Sequence, residues 1–538
     1  MSERDIDSKY VEIEGLCFDN RFTSELSGDP VRSNTRRQVR HAYFSHVTPT
    51  GTSNPETLAI SIEALKLLGL EASITASENF TQVFSGNALT RDMEPHAMCY
   101  GGHQFGNWAG QLGDGRAINL GEVIGKNDLR YMLQLKGAGP TPYSRSGDGR
   151  AVLRSSIREF LCSEAMFSLG VPTTRALSLC ATGDQVMRDM LYDGNPAEEP
   201  GAVVCRTAAS FIRFGNFEIF ASRGEMAELK GLLDFSIRHY FPEVGEPSPS
   251  SYVRLFEKVV ASTAVLIAHW QRVGFVHGVM NTDNMSIHGL TIDYGPYGWI
   301  DNFDPNWTPN TTDRFQRRYR FRNQPAIAHW NLAQLANALY PAVQDVQPLQ
   351  EALDAFEDLF NNAWSVMIAE KLGLNSFSSM DSHILLSDLF EIIESEEVDM
   401  TIFFRLLSKV SLAEGQHTEQ NVDTVRDSYY TPELITGEHW HRLGNWMDRY
   451  VGILRSEGLG NSERVERMNK TNPKYVLRNY LAQLAIDDAE NGDLTMVNDL
   501  LTMLRNPYDE QPEFEKWATK RPDWARNRPG CSMLSCSS

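Results

Sequence analysis

At 538 residues the chain is too long for one small core, and its length predicts two to four lobes. A net charge of −20 argues against a nucleic-acid binder, which needs a basic face to displace counterions. Seven cysteines, odd in number and irregular in spacing, make no disulfide framework, and the longest apolar stretch, around Val259–Ala268, is too short to span a bilayer.

The acidic start MSERDIDSKYVEIEG has no apolar centre, so no signal or transit segment is expected there, and a reducing, cytoplasmic setting without a membrane follows. Residues 1–80 are expected to form an extension packed on the lobes, with a helical segment near Pro55–Leu68. Seven glycines then fall within Gly101–Gly121, in CYGGHQFGNWAGQLGDGRAINLGEV. A Gly-rich turn between short strands lets backbone N–H groups approach a phosphate, although a plain glycine-rich hairpin has the same composition. The alternating YMLQLK predicts a strand ending at Lys136. Apolar residues at 152, 153, 157, 160, 161 and 166 predict an amphipathic helix over 151–169, with Gly170 as its C′ residue and Glu159 at mid-helix. TTRALSLC and AVVCR read as strands, and Tyr252–Val273 as a second long helix. Beyond about Gln324 the pattern is mostly helical, with a C-terminal helical region beginning near 426.

The long helix leads into HGVMNTDNMSIHGLTIDYG, His277 to Gly295. His277, Asn284 and Asp293-Tyr294-Gly295 fall where a protein kinase has the His of H-R-D, its metal-binding Asn and D-F-G, but Val279 occupies the place of the catalytic Asp. The chain order is also that of a kinase: Gly-rich turn, strand lysine Lys136, helix Glu159, strands, long helix, metal loop. The expected fold is therefore α+β, a bilobal protein-kinase-like fold with an N-lobe over 81–222, a C-lobe over 223–425 and a helical extension over 426–538. Asn284 and Asp293 are oxygen donors suited to Mg²⁺ or Mn²⁺. Asp283, four residues after Val279, could take a proton in place of the missing base. Arg116, Arg145, Arg150, Arg154, Arg158, Arg206 and Arg213 join Lys136 as candidate phosphate ligands, and spacing does not show which face inward. His96, Cys99 and His103, spaced H-x₂-C-x₃-H, offer three zinc-type ligands but no fourth. At this level a conventional kinase transferring the γ-phosphate and a non-catalytic scaffold both stay open.

Six stretches carry a closer resemblance: GGHQFGNWAGQLGDGRA, LQLKGAGPTPYSRSGDGRAVLRSSIREFL, SLGVPTTRAL, IRFGNFE, HGVMNTDNMSIHGLTIDYGPYGWID and the terminal CSS. Through them the chain resembles the selenoprotein O family, kinase-like proteins that transfer AMP rather than phosphate. The resemblance implies a nucleotide bound in reverse, its γ-phosphate deep and its α-phosphate facing the acceptor, with pyrophosphate leaving. It implies ATP contacts from Gly113, Gly115, Arg116, Asp148, Gly149 and Asp293, and phosphate contacts from Lys136, Arg206 and Arg213. Glu159 would orient Lys136, Asp283 would be the proton acceptor, and Asn284 and Asp293 would bind the metal. It further implies ATP, or UTP for UMPylation, as donor, and Ser, Thr or Tyr hydroxyls of proteins, the chain itself included, as acceptors. Cys536 stands third from the end, where eukaryotic members have selenocysteine. In some bacterial members a disulfide ties the segment after the metal Asp to the C-terminal region; here no Cys lies between Asp293 and Cys531, so only a local Cys531–Cys536 bridge is open.

Overall fold

The computed structural model describes residues 10–415 and 417–535, so Cys536 and any bridge to it lie outside the described residues. In chain order the strands are β1 (Phe44–His46), β2 (Glu56–Ile60), β3 (His96–Met98), β4 (Gly101–Gln104), β5 (Asn107–Gln111), β6 (Ala117–Ile124), β7 (Arg130–Lys136), β8 (Ala151–Val152), β9 (Arg175–Arg188) and β10 (Ala197–Ala208). An antiparallel sheet runs β1-β3-β6-β7-β10-β9-β2, with β8 pairing to β10. β4 and β5 pair only with each other, as a separate hairpin.

The N-terminal region supplies both edges of this sheet, and here one expectation fails. Glu56–Ile60 is a strand, and only Ile62–Leu67 is helical, its first turn capped by the Ser61 hydroxyl. Pairing along β9 satisfies the backbone of 56–60 and covers an otherwise open sheet edge, which outweighs the weak helical pattern of a short segment.

The helix Leu153–Ser168 packs on β9 and β10, as expected, but it is not half-exposed. Helices Asn479–Glu490 and Thr495–Leu504 cover its outer side, so Arg154, Arg158, Glu159 and Glu164 are buried together with its apolar face. Such charges persist in a core only when paired: Arg154 meets Glu199 at 2.8 Å and Arg175 meets Glu164 at 2.6 Å.

The other half of the chain is built on the helix Pro249–Val273. It opens with a Ser248 cap and Pro249 and stops at Gly274, whose φ of 75° is the left-handed C′ conformation. Gln324–Val343 and Val346–Leu372 pack along it. After Gly274, the short strand Phe275–Val276 pairs with Gly298–Trp299, so residues 277–297 leave the helical body as one loop and return to it. Within it, Thr291 forms isolated bridges to Met285 and Thr173. A second apolar cluster joins Val276 and Ile300, at the two ends of this loop, to residues between Phe303 and Met468. Among the described residues no helix is long and apolar enough to cross a membrane.

Candidate functional site

Strand alternation places Gln134 and Lys136 on one face of β7. Lys136 Nζ lies 2.6 Å from Glu159 Oε2 and 3.7 Å from Asp293 Oδ1. Arg206 stands directly opposite Gln134 on β10 and hydrogen-bonds to its side chain. The same guanidinium reaches Glu159 Oε1 at 2.8 Å and Asp293 Oδ1 at 2.6 Å. Arg213, just before the helix Phe214–Arg223, pairs with the other oxygen of Asp293, donates to the Asp283 carbonyl at 2.7 Å and stacks over Tyr100. Three cations thus surround two carboxylates, Glu159 and Asp293, an excess of one positive charge among the ion-paired groups, with Arg116 and the buried Asp114 acting on the same cluster from beside it. Burial pushes the Lys136 ammonium down, opposed by Glu159 and reinforced by Arg206. Burial alone would raise the Asp293 carboxyl, but Arg213, Arg206 and Lys136 outweigh it and hold it well below the usual range. Asp293 itself takes a left-handed φ of 57°, a conformation that Asp tolerates better than most residues.

Asp283 sits in the short 3-10 turn Thr282–Asn284. Its Oδ2 accepts from Gln104 Nε2 at 3.3 Å, while Oδ1 is buried without a hydrogen-bond partner. Burial raises the carboxyl to about 7, against the pull of Arg213 and Gln104. The β4–β5 hairpin holds this turn from above. His103 N donates to Thr282 Oγ1 at 2.7 Å, Thr282 donates to Glu218 at 2.5 Å, and Glu218 meets the His103 ring at 2.8 Å, closing a circuit. At Gly102 a Cβ would come within 2.9 Å of the Asp283 side chain, so only glycine lets the hairpin approach this closely. Val279, in the place of the kinase Asp, is buried. His277 meets Ile292 O through Nε2 at 2.9 Å and stacks on Trp270; it pins the turn to the chain leading into Asp293.

The remaining predicted residues divide. Arg116 lies beside Lys136, since Ala117 faces Lys136 across the β6–β7 pairing and Gly137 N donates to Arg116 O at 2.8 Å. Gly113, with φ 72°, and Gly115 pack against Tyr143, where a Cβ would come within 2.4 Å and 3.0 Å respectively. Gly149, with φ 74°, lies on Gly139, and its carbonyl accepts from Gly139 N at 3.1 Å, three residues past Lys136. Asp148 is not brought into the cluster; both its oxygens pair with Arg188, at 2.7 and 2.8 Å. Asn284 donates its amide N–H to Val279 O at 2.9 Å, which leaves its oxygen as acceptor. An amide oxygen and a fully ionised carboxylate, Asn284 and Asp293, form a donor pair of the type a hard divalent cation takes alongside phosphate and water. The zinc spacing does not assemble: His96 is buried against Glu94 O, His103 pairs with Glu218, and among the described residues no three His, Cys, Asp or Glu group together. Gln134, Gln104, Glu218 and Thr282 were missed; only Gln134 carried a signal, two residues from Lys136 on the same strand face.

Three cations around two carboxylates, beside the buried carboxyl of Asp283, make an arrangement whose charge suits a polyanion. The chain belongs to the protein adenylyltransferase SelO family, whose profile matches residues 32–505. It is 55% identical over 527 residues to the protein nucleotidyltransferase YdiU of Flavobacterium johnsoniae, covering 98% of this chain and 100% of that protein. The relative of the same name from Aromatoleum aromaticum is 57% identical over 530 residues, 98% of this chain and 100% of its own. That of Rhodopirellula baltica is 54% identical over 536 residues, 97% and 99%. The resemblance read from the six sequence stretches is thereby borne out.

Proposed function

We infer that this chain is a protein nucleotidyltransferase that moves AMP from ATP onto protein hydroxyls and releases pyrophosphate. One observation carries the reading: a +1 cluster of Lys136, Arg206, Arg213, Glu159 and Asp293 lies against Asp283, whose buried Oδ1 lacks a partner. We read the fold as kinase-like and bilobal, with the lobes at 81–222 and 223–425, an N-terminal extension over 1–80 and a helical region over 426–538. The Lys136–Glu159 pair between strand and helix supports it.

In this reading Lys136, Arg206 and Arg213 hold the β- and γ-phosphates deep in the site. Burial of both guanidiniums supports a reversed triphosphate, because the most charged end then meets the least hydrated cations. Arg116 and the backbone around Gly113, Gly115 and Gly149 line the nucleotide, with Asp148 beside them. Asn284 and Asp293 would hold Mg²⁺ or Mn²⁺, which supplies charge neutralisation on the phosphates. The acceptor oxygen of a Ser, Thr or Tyr attacks the α-phosphorus, its proton passes to Asp283 Oδ1, and the bond from the α-phosphorus to the bridging oxygen breaks with its electron pair leaving on pyrophosphate. Arg213 ties base and phosphate site together, since it contacts both the Asp283 carbonyl and Asp293. UTP serves as a second donor, the chain is among its own acceptors, and the reaction takes place in the cytoplasm.

Incubation with ATP labelled at either the α or the γ position tests this. Protein-bound α label, with γ label released as pyrophosphate, is the expected result. Retention of γ label but not α overturns it in favour of a kinase.

A further inference from the structure

Residues 313–322, DRFQRRYRFR, carry five arginines within nine positions of a chain whose net charge is −20. The loop is anchored beside the proposed base. The Asp313 carboxylate accepts from the backbone N–H of Arg318 at 2.9 Å and of Tyr319 at 2.7 Å, which fixes the turn. The buried Tyr319 hydroxyl donates to Asn281 Oδ1 at 2.6 Å, two residues before Asp283. Phe105 N, at the hairpin tip, donates to that same hydroxyl at 3.0 Å. The Arg318 guanidinium lies over Trp330 and within 3.5 Å of where a Cβ on Gly106 would sit, so it rests on the hairpin whose Gln104 touches Asp283.

These charges are only partly compensated, because the Asp313 carboxylate feels Arg318 and Arg320 and the other arginines of the loop outnumber it. Arg322 pairs with Glu394 at 2.7 Å, but among the described residues Arg314, Arg317, Arg318 and Arg320 have no carboxylate within salt-bridge reach. The Nε atoms of Arg318 and Arg320 are buried without a hydrogen-bond partner. Phe315 is 85% exposed, with the Arg314 guanidinium over its ring. A fixed loop thus presents surplus positive charge and one bare aromatic ring next to the loop that carries Asp283.

We propose that this loop docks an acidic segment of the acceptor protein, with an apolar residue against Phe315, and so selects hydroxyls that have Asp or Glu nearby. The proposal rests on the nucleotidyltransferase reading and names its substrate class. Charge complementarity favours a short acidic peptide over nucleic acid: the patch spans one loop, screening confines its attraction to about 8 Å at physiological salt, and the rest of the chain repels an extended polyanion.

The test compares two synthetic peptides with the same acceptor Tyr, one flanked by Asp and Glu, the other by Asn and Gln. They are offered to the wild-type chain and to the double variant Arg314→Glu/Arg317→Glu. Both positions are exposed and lie outside the nucleotide site, so KM for ATP serves as a control that stays unchanged. The wild type is expected to prefer the acidic peptide about three- to tenfold in kcat/KM, mainly through KM and less at high salt; the variant loses or inverts that preference. AMP transfer that ignores peptide charge in both proteins, or transfer to the chain itself with none to either peptide, overturns the docking proposal alone. Binding of a labelled RNA oligonucleotide more tightly than the acidic peptide, lost in the same variant, overturns it in favour of nucleic acid. Absence of any AMP transfer overturns the nucleotidyltransferase reading and takes this proposal with it.

Discussion

Two buried ion networks meet the chain around the 277–297 loop, one at Asp293 within it and one at Asp301 just past it, and they are built differently. In the first, Lys136, Arg206 and Arg213 face Glu159 and Asp293, three cations against two anions, and the Asp293 side chain keeps 18% of its surface open. In the second, Arg478 meets Asp399 at 2.8 and 3.0 Å and Asp301 at 2.9 Å, and Arg521 approaches Asp301 at 3.7 Å, two against two. Asp399 is fully buried there and also caps the helix Met400–Leu407. The second network closes on itself and ties the C-terminal helices to the chain leaving the loop. The first is closed only in sign, not in number, and a polyanion completes it. Burial and ion pairing alone therefore do not mark a functional site in this chain; the imbalance and the open edge do.

Removing one carboxylate from each network separates the two most widely. Asp293→Ala leaves three cations facing Glu159 alone. Transfer of AMP is expected to fall by about 10⁴-fold or more, since phosphate-transfer sites depend chiefly on positioning and charge neutralisation. The ligand-free variant is also destabilised, and inorganic triphosphate should raise its melting temperature more than it raises that of the wild type. Asp399→Ala, by contrast, strips Arg478 of its main partner. A loss of about 3–5 kcal/mol of stability is expected, with turnover per folded molecule unchanged and no rescue by triphosphate. Equal rescue of both variants would erase the distinction between the networks.

The base offers the next largest effect. Asp283→Asn keeps the size of the side chain and removes its basicity, so turnover should fall by about 10²- to 10⁴-fold while ATP binding, followed by calorimetry, survives. Unchanged turnover would remove Asp283 from the proton transfer and leave the charge cluster as the whole of the machinery.

The sequence made part of this legible, for physical reasons. Lys136 could be read because strand alternation is local, and Glu159 because it follows on the next helix; Asn284 and Asp293 lie in one short loop. Arg206 and Arg213 stood among seven candidate arginines and only the family resemblance singled them out, because the inward direction of Arg206 depends on the register of β10 against β7, which no spacing encodes. The hold of the β4–β5 hairpin on Asp283 was not legible at all, because Gln104 and Asp283 are 179 residues apart. One local reading failed for the same reason: a helical pattern at 56–60 yields to an open sheet edge. The H-x₂-C-x₃-H spacing, which already lacked a fourth ligand, is split when His96 goes into the core and His103 to Glu218. What is decided within a few residues could be read; what is decided by a partner far along the chain could not.

The smallest effect tests whether that hairpin reaches the chemistry. Gln104 Nε2 donates to Asp283 Oδ2, and this contact favours the ionised carboxylate. Asp283 is a base only above its own pKa, so turnover should rise with pH along a limb at or below about 7, lower when a cation occupies the neighbouring donors. Gln104→Leu removes the donor, raises the Asp283 pKa and moves that limb toward higher pH by about half a unit. The ratio of variant to wild-type kcat, measured at one fixed cation concentration, should therefore be smallest on the acid side and approach one above the limb. A ratio that stays constant across pH would mean that Gln104 only packs against the turn, and that the hairpin steadies the base without setting its charge.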